Sequence, residues 1–271
     1  MDELKLNRFA VLGNPVSHSQ SPRIHQTFAE QFGVTLSYEK LSCEINDFND
    51  FVREFFAGGG RGLNITSPFK SDAAKLADRC SSMARLSESV NTLYRDSETG
   101  ELVGETTDGL GWLKDIQRLA IKLSGANILV IGAGGAARVI VNQLLCESVG
   151  LVHVCNRTES RAEELVARGV SASGLENIPE KNWDLIINTL SVGWQGDYPD
   201  LQIKLGAQTS AYDLNYGQGA QPFIKWFEAS GGDSLFCHDG WGMLVEQAAV
   251  SFSIWWGKTP ATATLIERGP S

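Results

Sequence analysis

Asn127-Ile128-Leu129-Val130-Ile131-Gly132-Ala133-Gly134-Gly135-Ala136-Ala137 is the stretch that decides the fold. Its first five residues form an unbroken apolar run, the pattern of a strand buried on both faces of a parallel sheet. A GxGxxA turn follows and opens a helix expected to reach about Cys146. The first glycine permits the tight turn, the second lets backbone approach a pyrophosphate, and the small third residue packs helix on strand. The helix N-terminus then faces the anion. Gly132, Ala133, Gly134, Gly135 and Ala136 are therefore the expected dinucleotide cradle.

At the end of the next strand candidate, Leu151–Cys155, an NAD site would place a carboxylate on the ribose 2′-hydroxyl. This chain has Asn156-Arg157-Thr158-Glu159-Ser160-Arg161. A guanidinium at Arg157, with Arg161 one helical turn on, suits a 2′-phosphate. NADP is therefore favoured over NAD. A merely solvated helix start is the poorer explanation, because two cations there oppose the helix dipole.

Outward from this core the alternation persists. Apolar runs at Phe9–Gly13, Gly62–Thr66, Val90–Tyr94, Asp184–Asn188 and Ala211–Asn215 alternate with helical spacing at Arg23–Phe32, Asp72–Arg79, Gly109–Leu123 and Met243–Trp256. That predicts an α/β protein with mostly parallel sheets rather than a sandwich or bundle. With 271 residues, 42% apolar and 20% charged, one large or two modest domains are expected. The 32 acidic and 23 basic residues give a net charge of −9, which argues against a general nucleic-acid binder and requires any anionic ligand to be held locally. No apolar run approaches the roughly 18 residues of a membrane span, and Met1-Asp2-Glu3 does not resemble a signal peptide, so a cytoplasmic location is expected. The five scattered cysteines contain no CxxC pair and read as reduced core residues; the four histidines lack metal-ligand spacing, and no metal is expected. His153, on a strand, reads as buried and neutral.

Three junctions in the first half carry polar groups. Ser21-Pro22 reads as an N-cap followed by a helix-starting proline, with Ser19 close by; two hydroxyls beside free backbone N–H groups suit a carboxylate. In Asn64-Ile65-Thr66-Ser67-Pro68-Phe69-Lys70 a strand ends and the proline is expected to start a helix, which puts Lys70 in a first turn where the dipole opposes its charge. In Gly104-Glu105-Thr106-Thr107-Asp108-Gly109, Asp108 opens a long helix expected to bridge two domains.

Together GNPVSHSQSP (13–22), NITSPFK (64–70), VNTL (90–93), TTDG (106–109), GAGGAAR (132–138), NRTESR (156–161), DLIIN (184–188) and DGWGMLVEQAA (239–249) resemble the shikimate dehydrogenase family, in family order and over nearly the whole chain. The resemblance implies a reversible, NADPH-dependent reduction of 3-dehydroshikimate to shikimate in chorismate and aromatic amino acid biosynthesis. It implies an N-terminal α/β substrate-binding domain over 1–105 and a Rossmann-type doubly wound NADP-binding domain over 106–240, with a cleft between them. A C-terminal helical segment, 241–271, is expected to pack back on the substrate domain. Lys70 and Asp108 match the catalytic pair. Ser19, Ser21 and Tyr216 match carboxylate ligands, and Asn64, Thr66, Asn91, Asp108 and Gln247 match ligands of the ring hydroxyls. Asn156, Arg157, Thr158, Arg161, Asn188, Leu214 and Gly240 join the glycine turn as cofactor-binding residues. Partners are expected to be the small-molecule substrate alone, with no nucleic acid and no membrane, in a monomer or homodimer.

Thr106 stands where asparagine is usual, Thr189-Leu190 replaces Ala-Thr, and Leu214 replaces methionine; these touch pocket walls rather than the catalytic groups. The rival readings are a quinate/shikimate dehydrogenase with broader substrate or NAD use, and a non-catalytic dinucleotide-binding sensor. Retention of Lys70 and Asp108 weighs against the second.

Overall fold

The computed structural model describes residues 7–166 and 169–270. The chain forms two compact units, one running to Gly111 and resuming over Val245–Arg268, the other over Trp112–Leu244.

In the first unit the elements run β1 (Arg8–Leu12), α1 (Ser21–Gln31), β2 (Ser37–Leu41), α2 (Phe48–Ala57), β3 (Gly60–Ile65), α3 (Lys70–Leu76), β4 (Arg79–Cys80), α4 (Ser82–Ser87), β5 (Thr92–Arg95) and β6 (Leu102–Glu105), and α5 (Asp108–Arg118) starts in it and continues into the second. The sheet order is β2-β1-β3-β5-β6-β4. Parallel pairing joins β1 to β2 and β3, and β4 to β6, whereas β5 runs antiparallel to β3 and β6. Successive side chains of a strand face opposite layers. Ala10, Leu12, Leu63 and Ile65 accordingly pack on Phe48, Val52, Phe55 and Phe56, the i, i+4, i+7, i+8 stripe of α2. Each of the buried Leu, Ile, Val and Phe side chains among these contributes about 1.5–3 kcal/mol.

The second unit follows with β7 (Asn127–Ile131), α6 (Gly135–Leu144), β8 (Leu151–Asn156), α7 (Glu159–Glu163), β9 (Ser171–Gly174), β10 (Leu185–Asn188), β11 (Ser210–Asp213), α8 (Gln221–Ala229) and β12 (Cys237–His238). All its pairs are parallel, in the order β12-β11-β10-β7-β8-β9. This is the doubly wound arrangement, and its order reverses between β7 and β10. Ile128 and Val130 join one buried layer, Leu129 and Ile131 the other, which is why β7 is apolar at every position but its first. The chain ends with α9 (Trp241–Trp256) and α10 (Ala263–Arg268); the rings of Trp255 and Trp256 lie tilted against Phe9, 4.8 and 5.5 Å between centroids.

Several expectations need correction. Ser21 is not an N-cap: Gln20, in helical conformation, precedes α1, and no side chain caps that end. The helix after Pro68 begins two residues later, at Lys70, and ends at Leu76, after which Arg79–Cys80 is a short strand. The helix expected over 109–123 stops at Arg118, because Ala120 turns to φ +56° and the amides of Ala120 and Ile121 close on the carbonyls of Gln117 and Ile116. Leu119 and Ile121 are thereby folded onto the core. All five cysteines are free, but only Cys80 and Cys155 are buried; Cys43 and Cys237 are half-buried and Cys146 is exposed. Among the described residues no cluster of metal-binding side chains occurs, and no helix is long and apolar enough to cross a membrane. Met1-Asp2-Glu3 and Ser271 lie outside the described residues.

Candidate active site

In the first unit two helix starts meet. Lys70 opens α3 and Asp108 opens α5, and the ammonium of Lys70 donates to Asp108 Oδ2 at 2.7 Å. The dipole of α3 opposes a cation at its first residue while that of α5 favours the carboxylate, so Asp108 offsets the unfavourable placement of Lys70. The pair is largely shielded, with side-chain exposures of 29% and 11%.

Asn91, immediately before β5, organises the surrounding polar groups. Its Nδ2 donates to Asp108 Oδ1 and Thr107 Oγ1, both at 2.8 Å, and to Gln247 Oε1 at 3.2 Å. Its Oδ1 accepts from the Thr107 amide at 2.8 Å. Gln247 reaches this cluster from α9, where Ser251 lies one turn further on and contacts Thr92 Oγ1 (2.8 Å) and Thr107 Oγ1 (3.2 Å). Asn64, on β3, donates to Ser251 Oγ at 3.1 Å and the Asn91 carbonyl at 3.2 Å, and accepts from the Tyr38 hydroxyl at 2.6 Å. Thr66 follows the end of β3, half-buried. Ser19 Oγ donates to Ser21 Oγ at 3.2 Å, and Ser21 is itself hydrogen-bonded to Tyr38.

His25 underlies this surface. Its ring stacks on Tyr38 at 4.5 Å and lies 5.3 Å from Trp255, and it is hydrogen-bonded to Asn64. Burial lowers its pKa to about 3, so the ring is neutral at physiological pH. Burial likewise holds Tyr38 well above the usual phenol range. The structure thus brings Lys70, Asp108, Asn91, Gln247 and Asn64 into one network with Ser21, and adds Thr107, Thr92, Ser251, Tyr38 and His25. Of the added residues, Ser251 carried a readable signal, four positions beyond Gln247 on a helix.

In the second unit the glycine turn fits a dinucleotide. Gly132 has φ +107°, and a Cβ there would sit 2.3 Å from Thr189 Oγ1, so glycine is required on both counts. A Cβ at Gly134 or Gly135 would meet no atom within 4 Å, leaving open space before the first turn of α6. Ala133 and Ala136 complete the turn. Beyond β8, Asn156 Nδ2 donates to the Thr158 carbonyl at 2.8 Å and shapes the bend. Arg157, Thr158 and Arg161 are exposed, and neither arginine forms an ion pair among the described residues. Two uncommitted guanidiniums beside an open glycine cradle fit the 2′-phosphate and pyrophosphate of NADP.

The remaining expected residues lie on or after β10, β11 and β12. Asn188, 1% exposed, hydrogen-bonds through its side chain with Asp213, the Leu190 amide and Tyr198. A Cβ on Gly240 would meet the Leu214 carbonyl at 2.3 Å, so this glycine permits a close backbone approach. Tyr216 is half-buried between Trp194 and Trp241, at 5.6 and 5.9 Å, and burial raises its hydroxyl above the usual range. His153 is buried between Ser171 and Ser173 at 2.8 and 2.9 Å, its pKa lowered by burial, as a neutral strand histidine requires.

A doubly wound unit with a glycine cradle, and a second α/β unit with a shielded lysine–carboxylate pair, define the class: dinucleotide-dependent oxidoreductases of two-unit α/β build. Family models match in series: a shikimate dehydrogenase substrate binding domain over residues 11–93, a shikimate/quinate 5-dehydrogenase over 114–191, and a shikimate 5′-dehydrogenase C-terminal domain over 240–268. The shikimate dehydrogenase (NADP(+)) of Alkalilimnicola ehrlichii is 45% identical over 267 residues, covering 96% of this chain and 97% of its own. Among solved structures, an Ael1 enzyme from Pseudomonas putida aligns with a TM-score of 0.89 at 34% identity, covering 98% of both chains. The shikimate 5-dehydrogenase of Thermus thermophilus, in complex with NADP(H) and shikimate, aligns at 0.82 and 31%, covering 96% of this chain and 97% of the other. The chain belongs to the shikimate dehydrogenase family.

Proposed function

We propose that this protein is an NADP-dependent shikimate dehydrogenase that reduces 3-dehydroshikimate to shikimate reversibly, with Lys70 and Asp108 as its catalytic pair. The observation that carries the reading is the 2.7 Å contact of Lys70 with Asp108, whose other oxygen is held by Asn91.

NADPH supplies the hydride. The carbonyl oxygen that receives negative charge then needs an adjacent cation and a proton, and the Lys70 ammonium provides both; in the oxidation its neutral amine takes the proton back. Asp108 orients the amine and accepts a hydrogen bond from a ring hydroxyl. Asn64, Thr66, Asn91 and Gln247 hold the ring hydroxyls, and the paired hydroxyls of Ser19 and Ser21 hold the carboxylate. Arg157 and Arg161 select the 2′-phosphate, so NADP is preferred to NAD. The reading includes a cytoplasmic location and a monomer or homodimer, which fractionation and light scattering test.

The primary test is appearance of NADPH absorbance with shikimate and NADP. Lys70→Ala is expected to lower kcat about 10²–10⁴-fold with a smaller change in KM. An unchanged kcat in folded protein refutes the assignment, and preference for quinate with NAD reverses the choice of substrate and cofactor.

A further inference from the structure

We propose that Asp213 is a positioning residue for dinucleotide binding, tying the loops that leave β10 and β11 into one arrangement against the glycine turn. The inference rests on the dinucleotide reading above.

Asp213 ends β11 beside Asn188, its register partner at the end of β10, and it has no solvent exposure. Oδ1 accepts three hydrogen bonds, from Asn188 Nδ2 (2.9 Å), the Asn215 amide (2.9 Å) and Asn215 Nδ2 (2.8 Å). Both partners pass the constraint to the loop after β10. Asn188 Oδ1 accepts from the Leu190 amide at 3.2 Å, and Asn215 Nδ2 donates to the Leu190 carbonyl at 2.7 Å. Leu190 is thus gripped at both backbone groups. Its neighbour Thr189 donates through amide and hydroxyl to the Ile131 carbonyl, both at 2.9 Å, and Thr189 and Leu190 are the side chains that line the space beside Gly132. A continuous path of short contacts therefore runs from the carboxyl group to the turn at the end of β7. It lies where the strand order reverses, the place at which such sheets receive ligands.

The cost of this arrangement argues that it serves a purpose. Among the described residues Oδ2 is buried without a hydrogen-bond partner, and the groups facing the carboxyl (Asp239, Tyr198, Cys155 and Cys237) include no cation. Burial raises its pKa to about 7 against the opposing effect of its three donors. An asparagine would keep one acceptor oxygen without burying a charge. What it loses is strength: three N–H groups on an ionised oxygen form charge-assisted bonds, roughly twice as strong as those to a neutral one. The grip on Leu190 and Asn215 therefore tightens as pH rises through 7 and slackens below it.

Calorimetric titration of full-length protein with NADP⁺ from pH 5.5 to 8.5, for wild type and Asp213→Asn, tests this. The titration of the cofactor's own phosphate cancels in the comparison. At pH 8 the variant is expected to bind NADP⁺ at least tenfold more weakly, with binding of shikimate unchanged, and the gap is expected to close below pH 6. Equal affinities at pH 8, or a deficit that is the same at every pH, overturns the proposal. Should the variant fail to fold, hydrogen exchange in the wild-type apoprotein decides: protection of the Leu190 and Asn215 amides, corrected for intrinsic rates, falls as pH drops through 7. PH-independent protection refutes the proposal. Wild type that binds no NADP⁺ at any pH would instead overturn the dinucleotide reading, and the exchange measurement would still judge the role of Asp213 in tying the loops.

Discussion

His25 should make the first unit acid-sensitive. The ring is fully buried beneath Tyr38 and Trp255, and its pKa of about 3 lies below the 6.5 of an unfolded histidine. Above pH 6.5 neither state is protonated there, and His25 makes no pH-dependent difference. As pH falls below 6.5, the unfolded chain takes up a proton that the folded site refuses until about pH 3. Stability is therefore lost with acid, at about 1.36 kcal/mol per pH unit. At pH 5 the deficit is 1.5 units, about 2 kcal/mol, a sizeable part of the roughly 5–15 kcal/mol that holds a domain together. His25→Phe keeps an aromatic ring in the stack and removes the titration. Thermal midpoints of both proteins at pH 7.5 and pH 5.0 provide the assay. Between those pH values the wild type should lose about 4–8 °C more than the variant. Parallel pH profiles would mean that His25 is protonated in the folded state or reaches solvent, and would refute the reasoning.

Gly132→Ala should strain the dinucleotide turn, because φ +107° is barred to alanine and the new Cβ would sit 2.3 Å from Thr189 Oγ1. A midpoint lowered by several degrees and NADP⁺ affinity reduced more than tenfold by calorimetry are expected; wild-type affinity would show that the loop after β10 yields freely. Arg157→Ala should raise the KM for NADP about 10–100-fold while leaving that for NAD within about twofold, the effect of losing one charge-assisted phosphate contact. Equal effects on the two cofactors, in steady-state kinetics, would remove Arg157 from 2′-phosphate recognition.

The parts of the fold legible in the sequence were those with two apolar faces to fill. Asn127–Ile131 and Leu185–Asn188 lie in the centre of a doubly covered sheet, so their composition alone marks them as strands. Ser37–Leu41 gave no such signal because it is an edge strand with every residue at least partly exposed, and Leu102–Glu105 is a four-residue strand with only two apolar side chains, too short a run to stand out. In the site, residues at helix starts and glycine turns announced themselves through local chemistry. Tyr38 and Thr92 did not: they matter because β2 and β5 carry them to Asn64 and Ser251, and that proximity is a product of sheet order rather than of local pattern. Asn188 was legible as the end of an apolar strand, whereas its hydrogen bonds to Asp213 and the Leu190 amide depend on β11 lying alongside and on the course of the following loop.

The Thr107 backbone amide has a consequence for the Lys70–Asp108 pair. An amide N–H can only donate, so it fixes which end of the Asn91 side chain is the oxygen. With that sense of direction set, Nδ2 must face Asp108 Oδ1, and the lone pairs of Oδ2 are left to Lys70. A peptide group that titrates nowhere in the working range of pH thereby gives the cluster its polarity. Aspartate at position 91 could not be read in the same direction, since it would turn a second carboxylate toward the first.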